Sequence, residues 1–295
     1  MVRVARREWL GPLLVLPATS LILFFILYPT AFLIYASTLR YLLNVGGLDK
    51  AVFIGGDNFI NLLTNPVFYN PVLLATIEYV VGSLTVEILA GLGLALLFTT
   101  RLPGVRVMRN AIVLPIFFAP ITVGYLFYYI LDPNIGIANY LLSGIGLPTS
   151  CWYACNSSAM FSLILIDSWQ WTPFIFIILV AALEGLPQEP YEAANLDGAG
   201  RWKIFKDLTL PMIFPILMIG LILRLLDLMR NVDIIFATTK GGPGQLTEVF
   251  GYFIYYTGFQ SFNIGVAAAE SVVFLIIVNV IATIIVRRFW LAGAT

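Results

Sequence analysis

Long apolar runs without alternation determine what this chain can fold into. Hydrophobic residue types make up 60% of the sequence and charged residues only 11%, whereas charged residues account for about a quarter of a soluble protein. A hydrocarbon core of about 30 Å requires roughly 20 apolar residues per helical crossing, and spanning strands would instead produce short alternating segments. The runs therefore predict an all-α membrane protein with about six transmembrane helices in a single transmembrane domain, 1–295. The predicted helices cover residues 13–39, 72–98, 107–130, 160–183, 212–230 and 264–286.

The chain contains no histidine and has a formal net charge of zero. Without histidine, HExxH zinc sites, Ser/His/Asp or Cys/His triads and histidine proton relays are all excluded. No GxxxxGK[ST] phosphate loop occurs in the sequence, so ATP and Mg²⁺ would have to bind to a partner polypeptide. The balanced charge argues against a nucleic-acid partner. We therefore expect a non-catalytic membrane subunit that binds no metal ion or cofactor itself.

Lysine and arginine are distributed unevenly between the two ends of the predicted helices. The positive-inside rule places the richer side in the cytoplasm. The richer side carries Arg3, Arg6, Arg7, Arg101, Arg106, Arg109, Arg201, Lys203, Lys206, Arg287 and Arg288, and the poorer side carries Arg40, Lys50 and Lys240. The first apolar run exceeds the roughly 7 to 15 residues of a signal peptide, so we expect a retained helix. The sequence thus predicts a multi-pass protein of the cell membrane with both termini in the cytoplasm.

The predicted outer loop 131–159 contains the two cysteines of the chain, Cys151 and Cys155. A disulfide bond is compatible with the extracytoplasmic side, although the ring would be tight and the spacing is not CxxC. We favour a structural disulfide over two free thiols, and both over a metal site. Asn156 begins an Asn-Ser-Ser triplet that matches a glycosylation sequon, and whether it is modified stays open.

Ionisable side chains within the predicted spans are costly in lipid and therefore indicate function. Counting about 1.5 Å per residue from the helix ends places four of them in one layer, about 10 Å below the outer boundary. These four are Glu78, Asp167, Arg224 and Glu270. The polar or indole neighbours that share a face with them or adjoin them are Gln170, Trp171, Asp227 and Asn231. Such groups would suit a polyhydroxylated solute, so these eight residues are the candidate solute pathway.

An ion pair that never meets a solute is the alternative interpretation of this layer. Arg224 could pair with Asp227, or with Glu78, and only stabilise helix packing. Glu87 lies on the helix face opposite to Glu78 and closer to the cytoplasm, so we assign it to a helix or subunit contact. Prolines within the spans favour a cavity, because the backbone groups that they free require protein or water partners. These prolines are Pro29, Pro115, Pro120 and Pro173.

The polar segment 189–211 has the sequence signals of two short helices. Pro190 suits the first position of a helix, and the acidic residues beside it complement the positive end of the helix dipole. Gly198 permits a turn, and apolar residues at a spacing of three follow it. The alternative is a passive amphipathic loop on the membrane surface, with Trp202 and Phe205 inserted into lipid.

The order of residues in segment 189–211 resembles the EAA motif, the coupling segment of ABC importer permeases, and we therefore call this segment the coupling platform. The matching residues are Glu192, Ala193, Ala194, Asp197, Gly198, Ala199, Phe205, Leu210, Pro211 and Pro215. The stretch TTKGGPG at residues 238–244 resembles the carbohydrate-uptake branch of that family, which includes permeases for maltose, trehalose or glycerol phosphate. The resemblance covers most of the chain from about Asp167 onward.

This resemblance implies a permease subunit of a binding-protein-dependent, ATP-driven importer of a sugar or sugar-like solute. The partners that it implies are a second permease subunit in a heterodimer, two ATP-binding subunits, an extracytoplasmic solute-binding protein, membrane lipid and the sugar itself. The residues of the EAA match would dock on the ATP-binding subunit and drive alternating access. An ion-coupled secondary transporter that uses the intramembrane carboxylates is the alternative. A membrane-embedded enzyme is a further alternative, which the missing histidine and nucleotide motif disfavour.

Overall fold

The structure, a computed structural model, describes residues 10–99 and 104–289. The helices are α1 (Leu10–Ser37), α2 (Asp57–Thr64), α3 (Leu74–Phe98), α4 (Val105–Val113), α5 (Pro120–Ile130), α6 (Ile137–Gly144), α7 (Ala159–Glu184), α8 (Glu189–Leu196), α9 (Arg201–Ile204), α10 (Leu210–Met229), α11 (Asp233–Ala237), α12 (Phe250–Tyr255) and α13 (Ile264–Phe289). Short 3-10 or π-helical turns cover Leu48–Lys50, Phe68–Leu73, Leu114–Phe117, Trp152–Ala154, Phe205–Thr209 and Tyr256–Gln260. Two short strands, β1 (Leu39–Arg40) and β2 (Val52–Phe53), pair antiparallel. Four arginines used for the topology, Arg3, Arg6, Arg7 and Arg101, lie outside the described residues.

Five helical segments in the described part of the chain are long and apolar enough to cross a membrane. They are Leu13–Ser37, Phe68–Phe98, Ala159–Glu184, Arg201–Met229 and Ile264–Arg288. A bent pair of helices makes a sixth span if it is counted as one crossing. The predicted all-α membrane fold with about six spans is therefore confirmed.

The third predicted span is the bent pair. Its first part ends at Phe117, its second part starts at Pro120, and the two meet at 99°. The residues between them, Phe118 and Ala119, have extended backbone angles. Proline disfavours the helical conformation of the residue before it and cannot donate a backbone hydrogen bond, so the helix breaks here. The predicted span 107–130 is therefore interrupted before Pro120, whereas Pro29 and Pro173 lie inside continuous helices.

The described chain divides into two compact units. The first consists of residues 10–65 and 254–276. Asn58 of α2 donates hydrogen bonds to the carbonyl groups of Ser37 and Leu39, at 2.8 and 2.9 Å, and so anchors α2 to the end of α1. Gly265 lies against the carbonyl of Leu39, where a side chain would collide with the backbone. The first unit is therefore held together by backbone contacts around the β1–β2 pair.

The second unit consists of residues 66–253 and 277–289, and α3, α7 and α10 pack together in it. Their shared apolar core includes Ala95, Ile175, Phe176, Leu179, Ile213 and Leu217. Gly91 allows α3 to approach α7 closely, because a Cβ atom there would lie 2.8 Å from Cγ2 of Ile175. Small residues at helix contacts are typical of membrane proteins, where van der Waals packing replaces the hydrophobic effect. These three helices form the scaffold of the site described below.

The coupling platform continues directly into a membrane span. Helix α8 ends before Gly198, whose φ of +73° places it in the left-handed region that favours glycine. From Arg201 the chain is helical without interruption to Met229, through α9, a π turn and α10. Pro211 follows the π turn. Such a local change of helix type accommodates proline, which has no backbone N–H to donate. A separate span beginning at residue 212 was predicted, but the structure joins it to the platform.

Candidate functional site

A buried arginine lies at the centre of the second unit. Arg224 of α10 is 1% exposed. Its Nε and Nη2 atoms donate hydrogen bonds to the two carboxylate oxygens of Glu87 in α3, at 2.9 and 2.8 Å. Nη2 also contacts Asp167 of α7, and Nη1 donates to Asp227 of α10 at 2.6 Å. We call Glu87, Asp167, Arg224 and Asp227 the ion network, and it connects α3, α7 and α10.

The ion network holds these helices in one arrangement for an electrostatic reason. The side chains of Glu87 and Asp167 are fully buried, and burying an unpaired charge away from water costs several kcal/mol. Each buried carboxylate therefore depends on Arg224, which reaches both of them only while the three helices keep their positions. Asp227 differs, since its side chain is 31% exposed.

Polar and aromatic groups extend the ion network on one side. The side-chain amide of Asn231 donates to the hydroxyl of Tyr79, at 2.8 Å, and to Oδ1 of Asp167, at 3.0 Å. The guanidinium carbon of Arg224 lies 4.8 Å from the ring centroid of Trp171, within the range of a cation–π contact. Asn231 and Trp171 thus lie beside the charged residues, as the sequence predicted.

A cavity of about 420 Å³ lies beside the ion network. The residues of its wall that matter for chemistry are Trp171, Asp227, Arg230, Asn231 and Asp233. Ligand pockets have volumes of about 300–1,000 Å³ and combine an apolar surface with a few placed polar groups. An indole face, carboxylates, an amide and a guanidinium could bind the hydroxyl groups and the apolar ring face of a sugar.

Three of the eight predicted pathway residues belong neither to the ion network nor to the wall of the cavity. Gln170 is buried, and its Nε2 donates to the carbonyl of Phe118 at 2.8 Å. This bond satisfies a backbone group that the break before α5 leaves free. Glu270 belongs to the first unit, where Thr257 donates to its carboxylate at 3.1 Å. Glu78 is exposed on α3, and the α3 carboxylate that contacts Arg224 is Glu87.

Glu87, and not Glu78, is the glutamate of α3 that pairs with Arg224. Nine positions separate them, and at about 100° per residue their side chains leave α3 on opposite sides. Counting depth alone selected Glu78, but the face of α3 that packs on α7 carries Glu87. That face also carries Ser83, Gly91 and Ala95, all buried at a spacing of four. Such a row of small residues indicates a helix contact, and the assignment of Glu87 to a helix contact agrees with its bonds to Arg224 of α10.

The coupling platform exposes a mixed apolar and charged surface. Leu196 is 91% exposed and Trp202 is 73% exposed, and Glu192 and Asp197 are exposed beside them. Large apolar side chains that remain exposed next to polar ones are typical of a surface that binds another protein. The platform therefore has the composition of a docking surface.

One side-chain contact ties the first platform helix to the long helical segment. The hydroxyl of Tyr191 in α8 donates to the hydroxyl of Thr209, at 3.0 Å, and Thr209 is the last residue before α10. Within the turn, the backbone N–H of Ala199 donates to the carbonyl of Ala194 at 2.9 Å. The bond between Tyr191 and Thr209 thus ties α8 to the segment 201–229.

The segments on the two sides of α6, residues 131–136 and 145–158, are held by covalent and polar contacts. Cys151 and Cys155 are joined by a disulfide bond of 2.01 Å. The backbone N–H groups of Ile135 and Asn134 donate to Asp132 and lower the pKa of that carboxyl, while burial and the charge of Asp132 raise the pKa of the Tyr153 hydroxyl. In the described residues, no group of three or more His, Cys, Asp or Glu side chains could hold a metal ion. Asn156 is exposed beside the disulfide bond.

Comparisons with known proteins agree with this architecture. Residues 87–290 match the family described as binding-protein-dependent transport system inner membrane component. The chain is 31% identical over 285 residues to the trehalose/maltose transport system permease protein MalF of Thermococcus litoralis, covering 96% of this chain and 95% of that one. It is 31% identical over 291 residues to the sn-glycerol-3-phosphate transport system permease protein UgpA of Yersinia pestis, covering 96% and 94%.

A solved structure shares the fold. It is a chain of a bacterial alginate ABC transporter in complex with an alginate pentasaccharide-bound periplasmic protein, with a TM-score of 0.80 and 24% identity. The superposition covers 96% of this chain and 95% of that one. The resemblance inferred from the EAA motif is confirmed by the family match. With its spans, its coupling platform and these matches, the chain belongs to the family of binding-protein-dependent transport system inner membrane components, the permeases of ABC transporters.

Proposed function

We propose that this chain is the permease subunit of an ATP-driven importer of a sugar. The observation that carries the proposal is the uninterrupted helical segment Arg201–Met229. It begins in the coupling platform and bears Arg224 and Asp227 near its other end. The 23 positions between Arg201 and Arg224 correspond to about 35 Å at 1.5 Å per residue. The segment therefore connects a docking surface to the polar cavity.

The mechanism follows from the rigidity of this segment. An ATP-binding subunit would hold the platform through Glu192, Ala193, Ala194, Asp197 and the residues around Gly198. Closure of two such subunits on ATP would displace the platform, and the continuous helix would carry the displacement to the ion network. Because the ion network also holds α3 and α7, all three helices would move together between inward-open and outward-open states. By thermodynamic linkage, a solute that favours one state would favour the matching state of the ATP-binding subunits.

The partners follow from this mechanism. The chain would work with a second permease subunit in a heterodimer, two ATP-binding subunits that hold ATP and Mg²⁺, and an extracytoplasmic solute-binding protein. It would itself hold no cofactor and catalyse no reaction. The full chain would act as one transmembrane permease domain in the cell membrane, with both termini and the platform in the cytoplasm. The relatives named for trehalose/maltose and sn-glycerol-3-phosphate transport support a sugar or sugar-like solute.

Co-purification and uptake test the proposal together. An affinity-tagged chain from native membranes should retain an ATP-binding protein and a second permease. The complex in proteoliposomes, supplied with the solute-binding protein, should take up sugar only when ATP is available to the ATP-binding subunits. The matched control is the same vesicle with a proton or sodium gradient and no ATP. Uptake driven by either gradient alone would favour the ion-coupled alternative, which the family match does not support.

The contact between Tyr191 and Thr209 provides a finer test of coupling. Replacing Tyr191 with phenylalanine removes one hydrogen bond, worth about 1 kcal/mol, and keeps the ring. We expect the Tyr191→Phe complex to assemble and hydrolyse ATP, but to import less sugar per ATP, because α8 then moves partly independently of α10. The measurement is the ratio of sugar imported to ATP hydrolysed, with Tyr140→Phe as the control because Tyr140 lies on exposed α6. An unchanged ratio would show that this bond does not transmit motion.

A further inference from the structure

The guanidinium of Arg224, at the centre of the ion network, already uses most of its hydrogen-bond donors within the network. Arginine has five N–H donors, and four of those on Arg224 are directed at carboxylates of Glu87, Asp167 and Asp227. The side chain is also almost completely buried. An anionic solute could reach Arg224 only by displacing one of these carboxylates, and the displaced carboxylate would then lack its counter-charge.

The wall of the cavity carries more negative than positive charge. Asp227 is partly exposed to it, Asp233 is exposed at the first position of α11, and Arg230 donates to Asp227 at 3.2 Å. Together with the residues behind the wall, the acidic groups are Asp167, Asp227 and Asp233, and the basic groups are Arg224 and Arg230. Even without Glu87, three aspartates outnumber two guanidiniums. The net charge of this set is therefore negative whether or not Glu87 carries a proton.

We propose that the cavity beside the ion network selects uncharged or cationic sugars and discriminates against anionic ones. This inference rests on the proposed function, which assigns the cavity to a sugar. Membership of the family does not decide the point, because the chain is equally similar to relatives named for trehalose/maltose and for sn-glycerol-3-phosphate transport. The arrangement of charge in this chain decides it.

The physical reason for this selection is that the cavity can hydrogen-bond the hydroxyl groups of a sugar but repels a negatively charged group. Carboxylate and amide oxygens of Asp227 and Asn231 can accept hydrogen bonds from sugar hydroxyls, and the ring of Trp171 can cover an apolar sugar face. A phosphate or carboxylate would meet the like charges of Asp227 and Asp233 at the wall of the cavity, nearer than the salt screening length of about 8 Å. Like-charge juxtaposition of this kind suppresses wrong partners.

Equilibrium binding to the purified complex in nanodiscs, without the solute-binding protein, tests this selection directly. Leaving out that protein removes its own specificity from the measurement. The probes share one skeleton and differ in charge: trehalose, trehalose 6-phosphate and 6-amino-6-deoxytrehalose. Maltose and maltobionate form a second pair. We expect each anionic sugar to bind more than about tenfold more weakly than its neutral partner, and the amino sugar to bind at least as well as trehalose.

Charge variants connect this preference to the cavity wall. The measured quantity is the dissociation constant of trehalose 6-phosphate divided by that of trehalose. Asp233→Asn should reduce this ratio by about threefold, and Asp233→Lys should reduce it further. The control is Glu184→Gln, which also removes one negative charge. Glu184 lies 17 positions from Asp167 on α7, about 25 Å along the helix, and forms a partly exposed pair with Arg109 at 2.6 Å. We expect the ratio in this variant to equal that of the natural protein.

The outcomes separate this inference from the function on which it rests. Binding of trehalose 6-phosphate or maltobionate as tight as that of the neutral sugars would overturn the selection and leave sugar import standing. An equal change of the ratio in Glu184→Gln and Asp233→Asn would overturn the role of the cavity wall. If no sugar of any charge binds, the assignment of the cavity to a sugar is itself wrong.

Discussion

Replacing Arg224 with leucine should prevent the folded complex from accumulating in the membrane. The variant leaves the carboxylates of Glu87 and Asp167 buried without a counter-charge. Breaking a buried ion pair by removing one partner costs about 3–5 kcal/mol, which is a large part of a typical folding free energy of about 5–15 kcal/mol. The measurement is the amount of monodisperse complex recovered in detergent, together with its thermal denaturation.

A compensated variant distinguishes buried charge from lost packing. Combining Arg224→Leu with Glu87→Gln and Asp167→Asn removes both stranded charges, so a substantial part of the folded complex should be recovered. Asp227→Ala is the milder comparison, because Asp227 is partly exposed and water can compensate for its loss. We expect that variant to assemble with its partners and to transport more slowly. Full accumulation of Arg224→Leu alone would show that the ion network does not stabilise the fold.

Replacing Gly198 with valine should abolish transport while the chain remains inserted in the membrane. A Cβ atom at Gly198 has open space around it, so the defect arises from the backbone, whose φ is +73°. A β-branched residue in this region costs roughly 1–2 kcal/mol or more, and the turn between α8 and α9 would change direction. Glu192→Lys should have the same effect on transport by reversing a charge on the exposed face. The measurement is ATP-driven sugar uptake, with the amount of membrane-inserted chain determined in parallel.

Gly200 supplies the matched control. It lies two residues from Gly198 and also has open space around its Cβ position, but its φ of −67° suits any residue. Gly200→Val should therefore retain most of the uptake. Equal loss in both variants would indicate that side-chain bulk, and not the left-handed turn, causes the defect. Normal uptake in Gly198→Val or Glu192→Lys would contradict the coupling role of the platform.

The linear sequence was sufficient for the spans and for the coupling platform because both depend on local patterns. Apolar runs of about 20 residues are long enough to cross a bilayer whatever their neighbours are, and the structure has corresponding helices. The effects of individual prolines on the helices were harder to predict. Pro120 breaks a span, whereas Pro173 and Pro211 lie within continuous helical segments, and a π turn precedes Pro211. Gln170 binds the carbonyl of Phe118 that the break leaves free, and it was assigned to the solute for lack of that information.

What the sequence determined by itself is the class of protein, the EAA resemblance and the set of charges that lipid cannot tolerate unpaired. Only the tertiary structure decided which charges meet. Glu78 and Glu87 have the same chemistry and lie on the same helix, so their residue types could not distinguish them. Packing of α3 against α7 and α10 buried the face with Glu87 and left Glu78 exposed. Burial removes water as an alternative partner, and this is why Glu87 and Asp167, and not Glu78, became the partners of Arg224.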